Sequence, residues 1–188
     1  MACDINAGRK EPCKDVVGGI TAVYFVNYGE YGTAEVDGTS DMIDDFSDAA
    51  FTAYKYEVKG NSNLTQNINS SRENGTTFFE QVLSLTLHKL SPADNKQLKL
   101  MSYGRPHIFV EDYNGNVFVV GAEHGAEVSG GTIVTGSAMG DLSGYTLTLT
   151  GMEKMPANFI DFTAPSSKGA TEWTVGGATI TITAGTNS

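Results

Sequence analysis

Apolar and polar residues alternate with period two along much of this chain, and in places both faces are apolar. From Gly19 the pattern sets Ile20, Ala22, Tyr24 and Val26 on one face, with Val23 and Phe25 on the other. A strand that is apolar on both sides is one covered from both sides. Residues 51–59 alternate again, Phe51, Ala53 and Lys55 against Tyr54, Tyr56 and Val58. Residues 76–90 predict a long strand, with Leu83, Leu85 and Leu87 opposite Ser84, Thr86 and His88. The Asn- and Ser-rich stretch before it, residues 61–75, fits a polar strand or an exposed loop.

Two segments carry helical spacing. Ser40 is placed to cap a short helix over residues 41–50, where Met42, Ile43, Phe46, Ala49 and Ala50 recur at helical intervals. Ser91 followed by Pro92, with Asp94 three residues after the cap, is a stronger start signal, and Gly104 supplies a stop. The clearest hairpin spans residues 107–122 around Asn114-Gly115, a dipeptide favoured in two-residue turns. That turn pairs Tyr113 with Asn116, Val110 with Val119 and Ile108 with Gly121. It places Ile108, Val110, Val117 and Val119 on one face and Phe109, Phe118 and Val120 on the other. Both faces are apolar, so a second layer or a second subunit must cover them.

Shorter strands are predicted at residues 127–136, 145–151 and 158–162, and residues 171–183 end the chain with a hairpin broken at Gly176-Gly177. No repeat of fixed period appears. The expected architecture is mainly β: an antiparallel β-sandwich or open barrel with one or two flanking α-helices. An extended arm occupies residues 1–18, the sandwich residues 19–165, and a C-terminal strand or hairpin extension residues 166–188.

Composition narrows the partners. The 188-residue chain carries net charge −10, with 12 basic and 22 acidic residues. The excess is local, because Lys14 and Lys55 have no basic residue between them, while Glu30, Glu35, Asp37, Asp41, Asp44, Asp45 and Asp48 all fall there. Phosphate-backbone binding needs clustered Lys and Arg, so sequence-specific nucleic-acid recognition is not expected. No apolar run is long enough to span a membrane, and the N-terminus lacks the apolar core of a signal peptide, which points to synthesis in the cytoplasm. Cys3 and Cys13 are then expected as reduced thiols.

Candidate chemistry is sparse. The three histidines, His88, His107 and His124, lack metalloprotease spacing. The hairpin brings His107 towards His124, with Glu123 and Glu127 nearby, and that group is the one candidate metal or acid–base site. The acid-rich stretch lacks the alternating ligands and closing Glu of a calcium loop. No nucleophile elbow or phosphate-binding loop is present. No catalytic residue, metal or cofactor is expected.

The order of elements resembles that of bacteriophage tail tube proteins. The matching stretches are the long strand at 77–90, the helix at 91–103, the hairpin at 107–122 and the later block 136–151, Gly-Ser-Ala-Met-Gly-Asp-Leu-Ser-Gly-Tyr-Thr-Leu-Thr-Leu-Thr-Gly. The polar region 61–75 matches the family's protruding loop, and the stretch after Pro165 departs from the pattern. The resemblance implies a virion structural protein: a homo-oligomer of stacked, hexameric rings, joined edge to edge around a lumen through which DNA passes unbound, and contacting other tail proteins. It suggests Glu30, Glu35, Asp37, Asp41, Asp44, Asp45, Asp48, Glu111 and Asp112 as lumen or interface acids. Ile108, Val110, Phe118 and Val120 are the expected assembly surfaces. Two other readings remain, a head decoration or neck protein and a carbohydrate-binding module with exposed Tyr28, Tyr31 and Trp173.

Overall fold

The computed structural model describes residues 7–11, 13–162 and 170–185. The described elements run β1 (Ile20–Val26), β2 (Ala34–Val36), β3 (Ile43–Phe46), β4 (Ala50–Glu57), β5 (Asn63–Ser71), β6 (Thr76–His88), α1 (Pro92–Tyr103), β7 (His107–Asp112), β8 (Val117–Val120), β9 (Glu127–Val134), β10 (Gly144–Glu153), β11 (Glu172–Val175) and β12 (Ala178–Ala184). They form a six-stranded sheet of order β11-β12-β4-β1-β7-β8, a four-stranded sheet of order β5-β6-β10-β9, and the β2–β3 hairpin. The fold is mainly β, a sandwich built on an open barrel with one flanking helix. One pairing departs from the antiparallel expectation: β12 lies parallel to β4. Alternation along a sequence has no direction, so it does not say which way a strand meets its neighbour.

The doubly apolar strands are covered on both sides by this same chain. On one face, Ala22, Tyr24 and Val26 of β1 pack with Phe109, Val119, Trp173 and Ile180, and with Ile43 and Phe46 of β3. The sheet curls to enclose this core. Residues 158–161 lie between β8 and β3: Val119 N–H donates to Asn158 O (2.9 Å), and Ile43 N–H to Phe159 O (2.8 Å). The far edge returns to β3, where Asp45 Oδ1 accepts the Gly177 N–H at 3.0 Å. The strand expected at 158–162 is therefore reduced to two single bridges, Ile43–Ile160 and Phe118–Phe159.

On the other face, Ile20, Val23, Phe25, Ile108, Val110 and Val120 meet Leu83, Leu85 and Leu149 of the four-stranded sheet. Each such side chain contributes about 1.5–3 kcal/mol when fully buried, so the two layers are held together by this second core.

Three expectations are corrected, two of them by β-bulges. The pairing of β1 with β7 shifts between Ile20 and Ala22, which moves Ile20 to the face of Val23. The helix expected over residues 41–50 is instead β3 followed by the start of β4. Asp44 is the extra residue in the β2–β3 ladder, so Ile43 and Phe46 both face the core at a separation of three. A bulged strand thus imitates helical spacing. Asp41, at φ 53°, also cannot sit in a right-handed helix. Third, the β7–β8 register is one residue off the predicted one: Val110 pairs with Phe118 and Ile108 with Val120. A one-residue slip turns a strand over, so Val117 and Val119 face the first core while Phe118 and Val120 face the second.

The cause of that slip is Asp112. Its Oδ1 accepts the N–H groups of Asn114 and Asn116, both at 2.8 Å, and its Oδ2 accepts both Asn side-chain amides. The turn closes with three residues between Asp112 and Asn116, and Gly115 (φ 85°) takes the left-handed position.

The remaining elements follow their signals. Ser91 Oγ accepts the Asp94 N–H at 3.1 Å, and Gly104 N–H donates to Leu100 O at the other end of α1. Residues 61–75 resolve into polar strand β5 and a turn. The C-terminal hairpin is built into the barrel, with Trp173, Val175, Ala178 and Ile180 buried. The described part of the arm carries no strand or helix, and Val17 is tied at both backbone atoms to the Asn114 side chain. Cys13 is exposed, and Cys3 lies outside the described residues.

Asp112→Ala, which removes four acceptor contacts from one turn, is expected to lower unfolding free energy by about 2 kcal/mol. Urea denaturation measures this, and an unchanged midpoint would show that the carboxylate does not hold the turn.

Candidate functional site

The four-stranded sheet presents the most unusual surface of the protein. Its edge strand β5, Asn-Leu-Thr-Gln-Asn-Ile-Asn-Ser-Ser, is nine residues long without a charge or proline. The opposite edge, β9, has eight residues and one charge, Glu127. Charges, prolines, bulges and short length are the usual means of keeping an edge from pairing, and β5 has none of them. The β5–β6 hairpin also runs past the core. Leu64 packs against the second core, whereas Ile68, on the same face and paired with Phe79, is 69% exposed.

The outer face of this sheet is uncharged over most of its area. Ser84, Thr86, Thr146, Thr148 and Thr150 point away from the core, with Thr132 Oγ1 2.6 Å from Thr146 Oγ1. None of the four strands contains Lys or Arg. Two acids lie on that face: Glu80, which accepts a bond from Asn67 at 3.1 Å, and Glu127 at the β9 edge, the partner of Thr150.

The expected assembly residues and acids are placed elsewhere. Ile108, Val110 and Val120 are fully buried in the chain's own second core, and Phe118 packs against it. They are not available as an assembly surface, because the chain's own four-stranded sheet occupies it. Glu111 is likewise buried and accepts the Tyr24 hydroxyl at 2.6 Å, and Asp112 holds its turn. Burial works against the Asp112 charge, but the bonds from Asn116 and Asn114 prevail and hold its pKa below the usual carboxylate value. Asp37 does the same at an exposed turn, its pKa lowered by bonds from Ser40. Asp45 fastens Gly177. Glu30, Glu35, Asp41, Asp44 and Asp48 remain exposed. Glu35 and Asp45 are direct partners across β2–β3, whose other side faces the first core. This acidic surface therefore lies on the opposite side of the molecule from the four-stranded sheet.

The histidine group assembles differently from expectation. His107 is buried, and its Nδ1 lies 2.6 Å from Gly121 O and 2.9 Å from the Tyr31 hydroxyl, while Nε2 accepts the Gly29 N–H at 3.2 Å. A carbonyl only accepts, so Nδ1 carries the proton and the ring is neutral. The Tyr31 hydroxyl donates to Ala122 O at 2.7 Å. Both ring nitrogens are thus engaged in holding loops together. Burial depresses the His107 pKa below the usual 6.5, outweighing the opposing pull of Gly121 O and the Glu153 charge. His124 meets not Glu127 but Glu153, with Glu123 beside it. Glu153, at the end of β10, carries no spacing signal towards His124; only the sheet register brings them together.

Aromatic sugar-binding is weakened in the same way. Tyr31 and Trp173 are buried in the first core. Tyr28 is half-exposed but stacks on His107 with the Arg105 guanidinium 4.1 Å over its ring.

No family model matches the chain, and no curated protein or solved structure matches it.

The neutral, buried His107 sets an expectation for pH. Below about pH 6.5 the unfolded chain takes up a proton that the folded chain accepts only in stronger acid. Stability from this group is complete above that value and falls as pH drops towards the folded pKa. Thermal midpoints between pH 7.5 and 5 should decline in the native chain and decline less in His107→Gln. Equal slopes would assign the effect to another group.

Proposed function

We propose that this chain is a structural subunit that assembles with copies of itself into rings and stacked rings, in the manner of a bacteriophage tail tube within a virion. The observation that carries this reading is the unprotected β5 edge of the four-stranded sheet, with β9, which bears one charge and a bulge at Ser129, at the opposite edge. Its strands alternate in direction, and their number is even, so β5 and β9 run opposite ways. A head-to-tail junction of β9 with the next copy's β5 continues the antiparallel ladder, and repeated by rotation it closes a ring.

The bulk of the protomer sits on one face of that sheet, which leaves only the other face free to line a lumen. That lining is the Thr- and Ser-rich face. Its strands offer no Lys or Arg to phosphates, so DNA passes without counterion-releasing contacts. In this arrangement the acids between residues 30 and 48 lie outside the ring, contrary to the lumen role first assigned to them. The projecting β5–β6 hairpin, with Ile68 and Phe78 exposed, supplies apolar contacts to a neighbouring copy. Other tail proteins meet the ends of the stack.

Thr65→Lys with Asn67→Lys charges the β5 edge without touching either core. The double variant is expected to fold as the native chain does by circular dichroism, yet remain dispersed in sedimentation velocity. The native chain should form rings or tubes under negative stain. A native chain that stays monomeric at high concentration would refute the reading. Thr148→Lys is expected to leave tubes intact while making them retain DNA at low salt and release it at high salt.

A further inference from the structure

We propose that Glu123, His124 and Glu153 form a binding site for a divalent first-row transition ion, of which Zn²⁺ is the best match. Their donor atoms all lie within 4.8 Å of one another. His124 Nδ1 is 2.9 Å from Glu153 Oε2 and 4.0 Å from Glu123 Oε2. Donors about 2.0–2.2 Å from a zinc ion stand roughly 3–3.5 Å apart, so these two separations bracket the required spacing, and a small rotation of the exposed Glu123 side chain closes it.

The site is held in place rather than merely crowded. The Glu153 side chain is 4% exposed, and its Oε1 accepts the backbone N–H groups of Glu123 (2.9 Å) and His124 (2.7 Å). The loop that supplies those donors turns at Gly121 and Gly125, with φ of 65° and 76°. An added Cβ would collide with the Gly125 backbone at the first glycine and with the Arg105 backbone at the second. One carboxylate oxygen is thus fixed by backbone bonds, leaving Oε2 directed at the imidazole. This is the hydrogen-bonded support that ligating carboxylates receive in metal centres. Glu123 and His124 are more than half exposed, which leaves room for water to complete the coordination shell.

The donor set selects the ion. One imidazole nitrogen with two carboxylate oxygens suits Zn²⁺ and its neighbours, whereas Ca²⁺ and Mg²⁺ prefer oxygen alone. Binding uses the His124 Nδ1 lone pair, so the imidazole proton sits on Nε2 and ligation replaces the Nδ1–Glu153 hydrogen bond. It also draws Glu123 away from Lys154, whose Nζ is 3.9 Å distant. The ion would fasten the β8–β9 loop to the end of β10 and so steady the approach to edge strand β9. The inference does not depend on self-assembly, since all three ligands belong to one chain.

The test is calorimetric titration of the full chain with zinc chloride, together with Co²⁺ absorption spectra. One ion per chain is expected. His124→Ala should abolish binding, and Glu123→Gln should weaken it at least about tenfold. Glu123 is exposed, so Glu123→Gln should keep the native metal-free melting curve and carries the test where Glu153→Gln loosens the loop. Replacing both cysteines with serine should leave binding unchanged. No binding at millimolar zinc, native-like affinity in His124→Ala or Glu123→Gln, or loss of binding in the cysteine variant would each overturn the assignment.

Discussion

The structure is governed by a sheet whose central strands are apolar on both faces. β1 and β7 cannot leave either side in water, so two layers must form. The chain meets this demand in two ways at once. On one side the sheet curls until β3 and residues 158–161 close over the first core. On the other, a separate four-stranded sheet lies across the second core. The C-terminal hairpin completes the curl, with Trp173 packed at a tilt against Tyr24, 4.4 Å between ring centroids. Polar groups buried by this arrangement are paired, as Tyr24 with Glu111 and Tyr31 with His107 show. The hydroxyl pKa values of both tyrosines are raised, chiefly by burial, which keeps them neutral donors.

How much of this was legible in the sequence follows from what periodicity can carry. Period-two alternation located β1, β4, β6, β7, β8 and β10, and a capped start located α1, because each depends on local chemistry alone. Bulges were not legible. At Ile20 and at Asp44 one extra residue converts alternate spacing to a spacing of three, which shifted a face in the first case and suggested a helix in the second. The turn at Asn114-Gly115 failed for a related reason. The dipeptide signals a two-residue loop, but the Asp112 carboxylate gathers four donors and enlarges it by one. Every face assignment on β8 reversed with that single residue.

The candidate sites were legible only where sequence neighbours meet. His124 and Glu123 are adjacent, but Glu153 joins them through the register of β10, which no local pattern encodes. The acid-rich stretch was conspicuous in composition, yet its members divide by environment: Asp37 and Asp45 hold turns, while Glu35 and Asp44 face solvent. Charge density along a chain locates a surface without saying which side of the fold it occupies.

Coverage of both faces within one protomer changes where an assembly can draw its energy. Ile108, Val110 and Val120 are already spent on the internal core and offer nothing to a neighbour. What remains open is hydrogen-bonding capacity along β5 and β9, together with the few apolar side chains that project past the core. Edge pairing supplies direction and register more than raw affinity, because each exposed backbone group exchanges water for a partner at a small net gain. An assembly built this way is ordered by ladder geometry and fastened by the projecting hairpin. Uncharged side chains along β5 are consistent with such a junction, since a lysine there would set a charge into every seam of the ring.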